Sequence, residues 1–196
     1  MARLINFLIC RLRWSYCQMW CMGTFYSSSD SWRALGKIKA SCHARPIGVS
    51  NFSHKHLQEL FSHSDTRPVV NQIELSPFLQ QPSITAFCQV EGIQLTGYCP
   101  LAKGRRLDNT ILTSIAEKHG KSSAQVMIRW ALQKRQAVIP KSSNPARITQ
   151  NANIFDLQIS ADEMVQLDGL DDDYRFCPDP LSMPWKAILE EVIVEK

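Results

Sequence analysis

Four small groups along the chain combine side chains able to bind a ligand: Ser50-Asn51, Gln72, Tyr98 and Lys141-Ser142. Each follows or finishes a short apolar segment, and between them they offer hydrogen-bond donors, acceptors, an aromatic face and a fixed cation. Taken singly, each has a plain structural reading. Asn51 with Ser53 could end a strand and cap a helix, Gln72 could be a buried amide, and Tyr98 could be core. Convergence of all four on one rim would instead make a ligand site.

Whether they converge depends on the elements between them. Trp32, Leu35 and Ile38 recur at helical spacing within Ser31–Ala40. Ile47-Gly-Val49 is a short apolar strand, and Ser53 can cap a helix whose buried stripe is Leu57, Leu60 and Phe61. Val69–Leu75 follows as a strand, Pro82–Val90 as a helix with proline in its first turn, and Ile93–Tyr98 as the third strand. Asp108 opens a helix through Ile111, Leu112, Ile115 and Ala116 that stops at Gly120. Ser122 with Gln125, and Ser160 with Glu163, have the spacing of capping boxes. The first precedes a helix with Val126, Met127, Trp130 and Ala131 on one face. The second precedes a helix through Met164, Leu167 and Leu170. Between them lies a fourth strand, Ala137-Val-Ile139, ended by Pro140.

Apolar strands separated by amphipathic helices imply a parallel sheet with helical crossovers. A small doubly wound sheet and half of an eight-stranded barrel fit this pattern equally well. In both, ligands sit at the C-terminal strand ends, where the four polar groups fall.

Bulk properties narrow the function. The chain has 196 residues, 44% hydrophobic and 20% charged, the composition of an ordinary globule with length for a core. A net charge of +4 is too mild to argue for nucleic acid, and the basic run Lys103-Gly-Arg-Arg106 reads as a solvated loop. Seven cysteines with no CxxC pair suggest reduced thiols, with Cys42, Cys88, Cys99 and Cys177 in the globular part. His54 and His56 are not spaced for one helical face, so no metal is expected. No apolar run reaches the ~20 residues that span a bilayer. Residues 1–29 lack acidic residues, and composition shifts near Asp30. An unstructured leader over residues 1–30 and a cytoplasmic location are expected, with a mitochondrial transit peptide as the alternative.

Taken together, several segments resemble the aldo-keto reductase family. They are Trp32-Arg-Ala-Leu35, Ile47-Gly-Val-Ser-Asn-Phe52, Val70-Asn-Gln-Ile-Glu-Leu-Ser-Pro77, Gly97-Tyr-Cys-Pro-Leu101, Ala124-Gln-Val-Met-Ile-Arg-Trp130 and Ile139-Pro-Lys-Ser142. The resemblance covers roughly residues 30–176 and implies an α/β chain of the (β/α)8 TIM-barrel family. Here that means a partial barrel, strands five to eight with their helices, and a tail over 177–196. It implies NADPH as cofactor, and its site residues carry over one by one. Ser50, Asn51 and Gln72 would hydrogen-bond the nicotinamide carboxamide, and Tyr98 would stack on its ring. Lys141, Ser142, Asn144 and Arg147 would hold the adenosine 2′-phosphate, with Gln150 and Asn151 near the adenine.

Two positions depart from the family pattern. Cys99 stands where serine is usual, and Pro46 precedes the first strand. The family's Asp-Tyr-Lys-His tetrad has no counterpart: no Asp-x-Ala-x-x-Tyr pattern and no Ile-His-Trp-Pro strand occur, and no lysine precedes Lys37. No catalytic residue is therefore assigned. The expectation is NADPH-dependent reduction of aldehydes or ketones by family, with this chain a truncated isoform, impaired in catalysis. The alternative is a non-catalytic NADP-binding or interaction protein. Expected partners are a small-molecule carbonyl substrate, with no nucleic acid and no membrane; if folded, the chain is expected to be a monomer.

Overall fold

A computed structural model describes residues 28–177 and 179. The leader expected over 1–30 and the tail over 177–196 lie almost wholly outside the described residues, as does the terminal helix suggested by Ile188, Leu189, Val192 and Ile193. The element order is α1 (Ser28–Ala40), β1 (Val49–Ser50), α2 (His54–His63), β2 (Val70–Glu74), α3 (Pro82–Val90), β3 (Gln94–Tyr98), a 3-10 turn (Ala102–Gly104), α4 (Thr110–Lys118), α5 (Ser123–Gln133), β4 (Ala137–Val138), α6 (Pro145–Ala152) and α7 (Ala161–Asp168).

Among the described residues, four strands form one sheet in the order β1-β2-β3-β4, every pair parallel. Ser50 lies opposite Gln72, Gln72 opposite Thr96, and Glu74 opposite Tyr98. Alternation along a strand then sorts the sheet into two faces. Ile73, Leu75 and Leu95 pack with Leu57, Ile84, Cys88 and Ile93 beneath the helices. The residues between them on β2 and β3, namely Gln72, Glu74, Thr96 and Tyr98, share the opposite face. A larger apolar cluster joins Phe78 and Ala102 to α4, α5 and α7 through Leu112, Ile115, Val126, Met127, Trp130 and Leu167.

Local signals account for most helix ends. Ser53, Ser122 and Ser160 each accept from the amide three residues on, and all three caps close as boxes. In α2 the reciprocal partner is His56, whose Nδ1 accepts from Ser53 N. Asn109, rather than Asp108, caps α4, because its Oδ1 accepts from Ile111 N and Leu112 N. Helix α1 begins at Ser28, three residues before the expected start, and its stripe is incomplete: Trp32 is buried, whereas Ile38 is 44% exposed among the described residues.

The first strand is displaced toward its C-terminus, running Val49–Ser50 instead of Ile47–Val49. Pro46 has no N–H to extend the ladder backward, although Ile47 O still accepts from Val69 N at 3.0 Å. Gly48 is required by proximity, since a Cβ there would meet Val70 Cγ1 at 2.2 Å and Val70 O at 2.7 Å. Helix α6 starts where Asn144 Oδ1 accepts from Ala146 N and Arg147 N, with Pro145 in the first turn.

Candidate cofactor site

Ser50-Asn51 and Tyr98 lie at the C-terminal ends of β1 and β3, and Lys141-Ser142 follow β4 by three residues; Gln72, expected at a strand end, is instead the middle residue of β2. Beyond β1, Asn51 turns the chain in a left-handed conformation at φ 59°, which asparagine tolerates better than most residues. Its backbone N–H donates to Gln72 O at 2.9 Å, so the turn is tied to β2. Its Oδ1 accepts the Tyr98 hydroxyl at 3.1 Å, linking two residues 47 apart in the chain. Ser50 Oγ donates to Gln72 O at 2.9 Å, stitching β1 to β2 a second time. The half-buried Gln72 amide and the Asn51 side-chain NH2 have no hydrogen-bond partner among the described residues.

Tyr98 is 8% exposed, and its hydroxyl hydrogen is committed to Asn51. Burial, reinforced by Glu74, Cys177 and Cys99, holds the phenol well above its ordinary pKa. A tyrosine so placed is a poor proton donor at neutral pH. The hydrogen bond fixes its ring instead.

Around the β4 end the character changes. Lys141 and Arg147 are exposed and have no carboxylate partner among the described residues. They flank the N-terminus of α6, whose first amides are already capped by Asn144 but whose dipole favours an anion. Ser142 Oγ accepts from Asn144 N at 3.1 Å and shapes the turn. Asn144 uses its oxygen as the helix cap, and its NH2 has no partner among the described residues. Gln150 is exposed, and its carbonyl accepts from Gln125 Nε2 at 3.0 Å. Asn151 is 9% exposed, with no side-chain partner among the described residues. Among the described residues, the Gln72 and Asn51 side-chain amides and the Lys141 and Arg147 cations are thus polar groups left without partners.

Sequence reasoning missed the group that closes the rim. Glu74, at the end of β2, is 1% exposed and accepts from Phe176 N at 2.7 Å and Cys177 N at 3.2 Å. Burial raises its pKa, while these two amides and the nearby Arg175 and Lys103 oppose the shift. Lys103 Nζ donates to Phe176 O at 2.7 Å, and Arg175 donates to Gln81 Oε1 at 3.1 Å. The basic run containing Lys103 thus contributes one anchor for the segment after α7. The only available signal was an acidic residue at an inward strand position, and nothing local identified its partners about a hundred residues later.

A family model described as the aldo/keto reductase family matches residues 10–172. The chain belongs to that family. Among curated aldo-keto reductases and their relatives, the glyoxal reductase of Bacillus subtilis is 47% identical over 151 residues, 77% of this chain and 55% of that protein. The 9,11-endoperoxide prostaglandin H2 reductase of Trypanosoma cruzi is 45% identical over 154 residues, 77% of this chain and 54% of that protein. Among solved structures, a mutant of Gox0644 in complex with NADPH superposes with a TM-score of 0.76 at 40% identity, covering 79% of this chain and 58% of that one. The chain therefore spans a little over half the length of these relatives. Its four parallel strands and their helices form an arc of the aldo-keto reductase (β/α)8 barrel, which settles the choice left open between barrel and doubly wound sheet.

Proposed function

We propose that this chain forms the NADPH-binding part of an aldo-keto reductase that converts aldehydes or ketones to alcohols. The observation that carries the reading is the pair of exposed cations at the start of α6, Lys141 and Arg147, which have no carboxylate partner among the described residues, together with the Gln72 amide on the polar sheet face, also without a partner among them. Asn51, Gln72 and Ser50 bind the carboxamide of the nicotinamide, and Tyr98 supports the ring face, held in place by its bond to Asn51. Lys141, Ser142, Asn144 and Arg147 take the 2′-phosphate, while Gln150 and Asn151 flank the adenine. Charge-assisted bonds to a phosphate dianion favour NADPH over NADH. When bound, NADPH supplies the hydride. The chain's residues orient the cofactor, and the raised pKa of Tyr98 argues against its protonating the carbonyl oxygen.

Titration calorimetry of wild type and Arg147→Ala with NADP and NAD tests the site. Charged hydrogen bonds are worth about 1.5–3 kcal/mol, so the substitution should weaken NADP binding by roughly tenfold or more and leave NAD nearly unchanged. Equal affinity for the two cofactors, insensitive to Arg147→Ala, would remove the phosphate assignment. The lack of a counterpart to the family's Asp-Tyr-Lys-His tetrad in this sequence favours a second reading, a non-catalytic NADP-binding or interaction protein. Measured carbonyl reduction separates the two.

A further inference from the structure

The departure at position 99 acquires a partner in three dimensions. Cys99 follows Tyr98 directly, in a left-handed turn at φ 52° whose carbonyl accepts from Ala102 N at 2.9 Å. Its Sγ lies 3.3 Å from Cys177 Sγ, across a separation of 78 residues. The sulfurs share a hydrogen bond, and both residues are free thiols with partial solvent exposure. We propose that Cys99 and Cys177 are a site of reversible disulfide formation, which staples the segment after α7 onto the strand end that carries Tyr98.

The two segments are already held together by other contacts. Cys177 N and Phe176 N donate to Glu74, and Phe176 O accepts from Lys103, which belongs to the same loop as Cys99. The thiols therefore need no chain search to meet. A disulfide has an S–S length of about 2.0 Å, so closure asks for a movement of little more than an ångström. The other described cysteines lack this arrangement: Cys88 is buried, its thiol against Asn71, and Cys42 is exposed just beyond α1.

The oxidant is a hydroperoxide, with hydrogen peroxide the simplest case. A thiolate of the pair attacks the O–O bond, giving a sulfenic acid and hydroxide, which takes up a proton and leaves as water. The second sulfur attacks the sulfenic sulfur, the S–S bond forms, and a second water departs. In all, two thiols lose two protons and two electrons, and the peroxide is reduced to two waters. Burial, then the hydrogen bond shared with Cys177, pushes the Cys99 thiol up to about 12, so oxidation is slow at neutral pH and accelerates as pH rises.

The test uses the full chain, reduced with dithiothreitol and treated with hydrogen peroxide at about pH 7 and about pH 9. Free thiols are then alkylated, and the digest is mapped by mass spectrometry. A Cys99–Cys177 peptide pair, two hydrogens lighter than its parts, should form faster at the higher pH and revert with dithiothreitol. Cys99→Ser, which restores the residue usual in the family, should leave Cys177 alkylated, and Cys42→Ser should leave the cross-link intact. Circular dichroism of both variants checks that they fold. Alkylation of both cysteines at the higher pH, irreversible oxidation of either one alone, or pairing of Cys99 with any other cysteine would overturn the proposal. Failure of NADP to bind would leave this readout untouched.

Discussion

Glu74 is a carboxylate almost without solvent, and both of its oxygens accept backbone N–H groups from one short segment. Glutamine at that position keeps one acceptor and turns the other into a donor that faces an N–H. Glu74→Gln should therefore release one of the two amides, a loss on the order of 1–3 kcal/mol for the local contact. Hydrogen exchange resolved to Phe176 and Cys177 should quicken by about tenfold or more if that contact governs local opening. Protection equal to wild type would show that Lys103 and Arg175 hold the segment without it. Tyr98→Phe is the companion experiment. Without the hydroxyl, Asn51 Oδ1 loses its donor and the ring loses its tether, so cofactor affinity measured by calorimetry should fall by about tenfold. An unchanged affinity would mean that the tether does not position the ring.

At the scale of elements, α5 and α7 carry much of the apolar packing behind β4. Trp130 is completely buried, and its indole N–H donates to Asp168 Oδ1 at 2.8 Å. Trp130→Ala should cost about 3–5 kcal/mol in urea unfolding, the range for deleting a buried aromatic; a loss below about 1 kcal/mol would mean that the site collapses onto the space. Glu163 couples α7 to α4. Burial would raise its carboxyl, but Lys118, the Ser160 amide and His119 outweigh it and hold the group at about 2. Because the folded value lies below the ordinary 4.5, the stabilisation is present above that value and is lost as pH falls toward 2. Acid unfolding of Glu163→Gln should lack this component: less stable than wild type at neutral pH, with the gap closing as pH falls. A gap that stays constant across that window would rule out the ion-pair explanation.

The whole molecule joins a polar sheet face and a cationic helix N-terminus on one arc of a barrel. Hydride addition to a carbonyl builds charge on its oxygen, and a positioned acid contributes roughly 10²–10⁴-fold. No such acid stands among the residues proposed for the site, and Tyr98 is held against the role. This chain should therefore oxidise NADPH no faster in the presence of aldehydes than in their absence; spectrophotometry over a broad aldehyde panel checks it, and turnover near one per second would overturn it. Features set by neighbours along the chain were legible in the sequence. The Ser-x-x-Gln and Ser-x-x-Glu spacings place capping boxes because both partners lie within one helical turn, and Pro82–Val90 ends where its proline and apolar pattern say. Parallel pairing followed as well, since apolar strands alternating with helices need helical crossovers, whereas the consecutive order β1-β2-β3-β4 was one of two the pattern allowed. Tertiary structure decided the contacts between residues far apart: Tyr98 with Asn51, Cys99 with Cys177 and Glu74 with Phe176, the last 102 residues away. The spacing of residues along the chain does not encode those distances. They exist because parallel pairing brings successive strand ends to one rim, where the returning chain must satisfy a buried carboxylate.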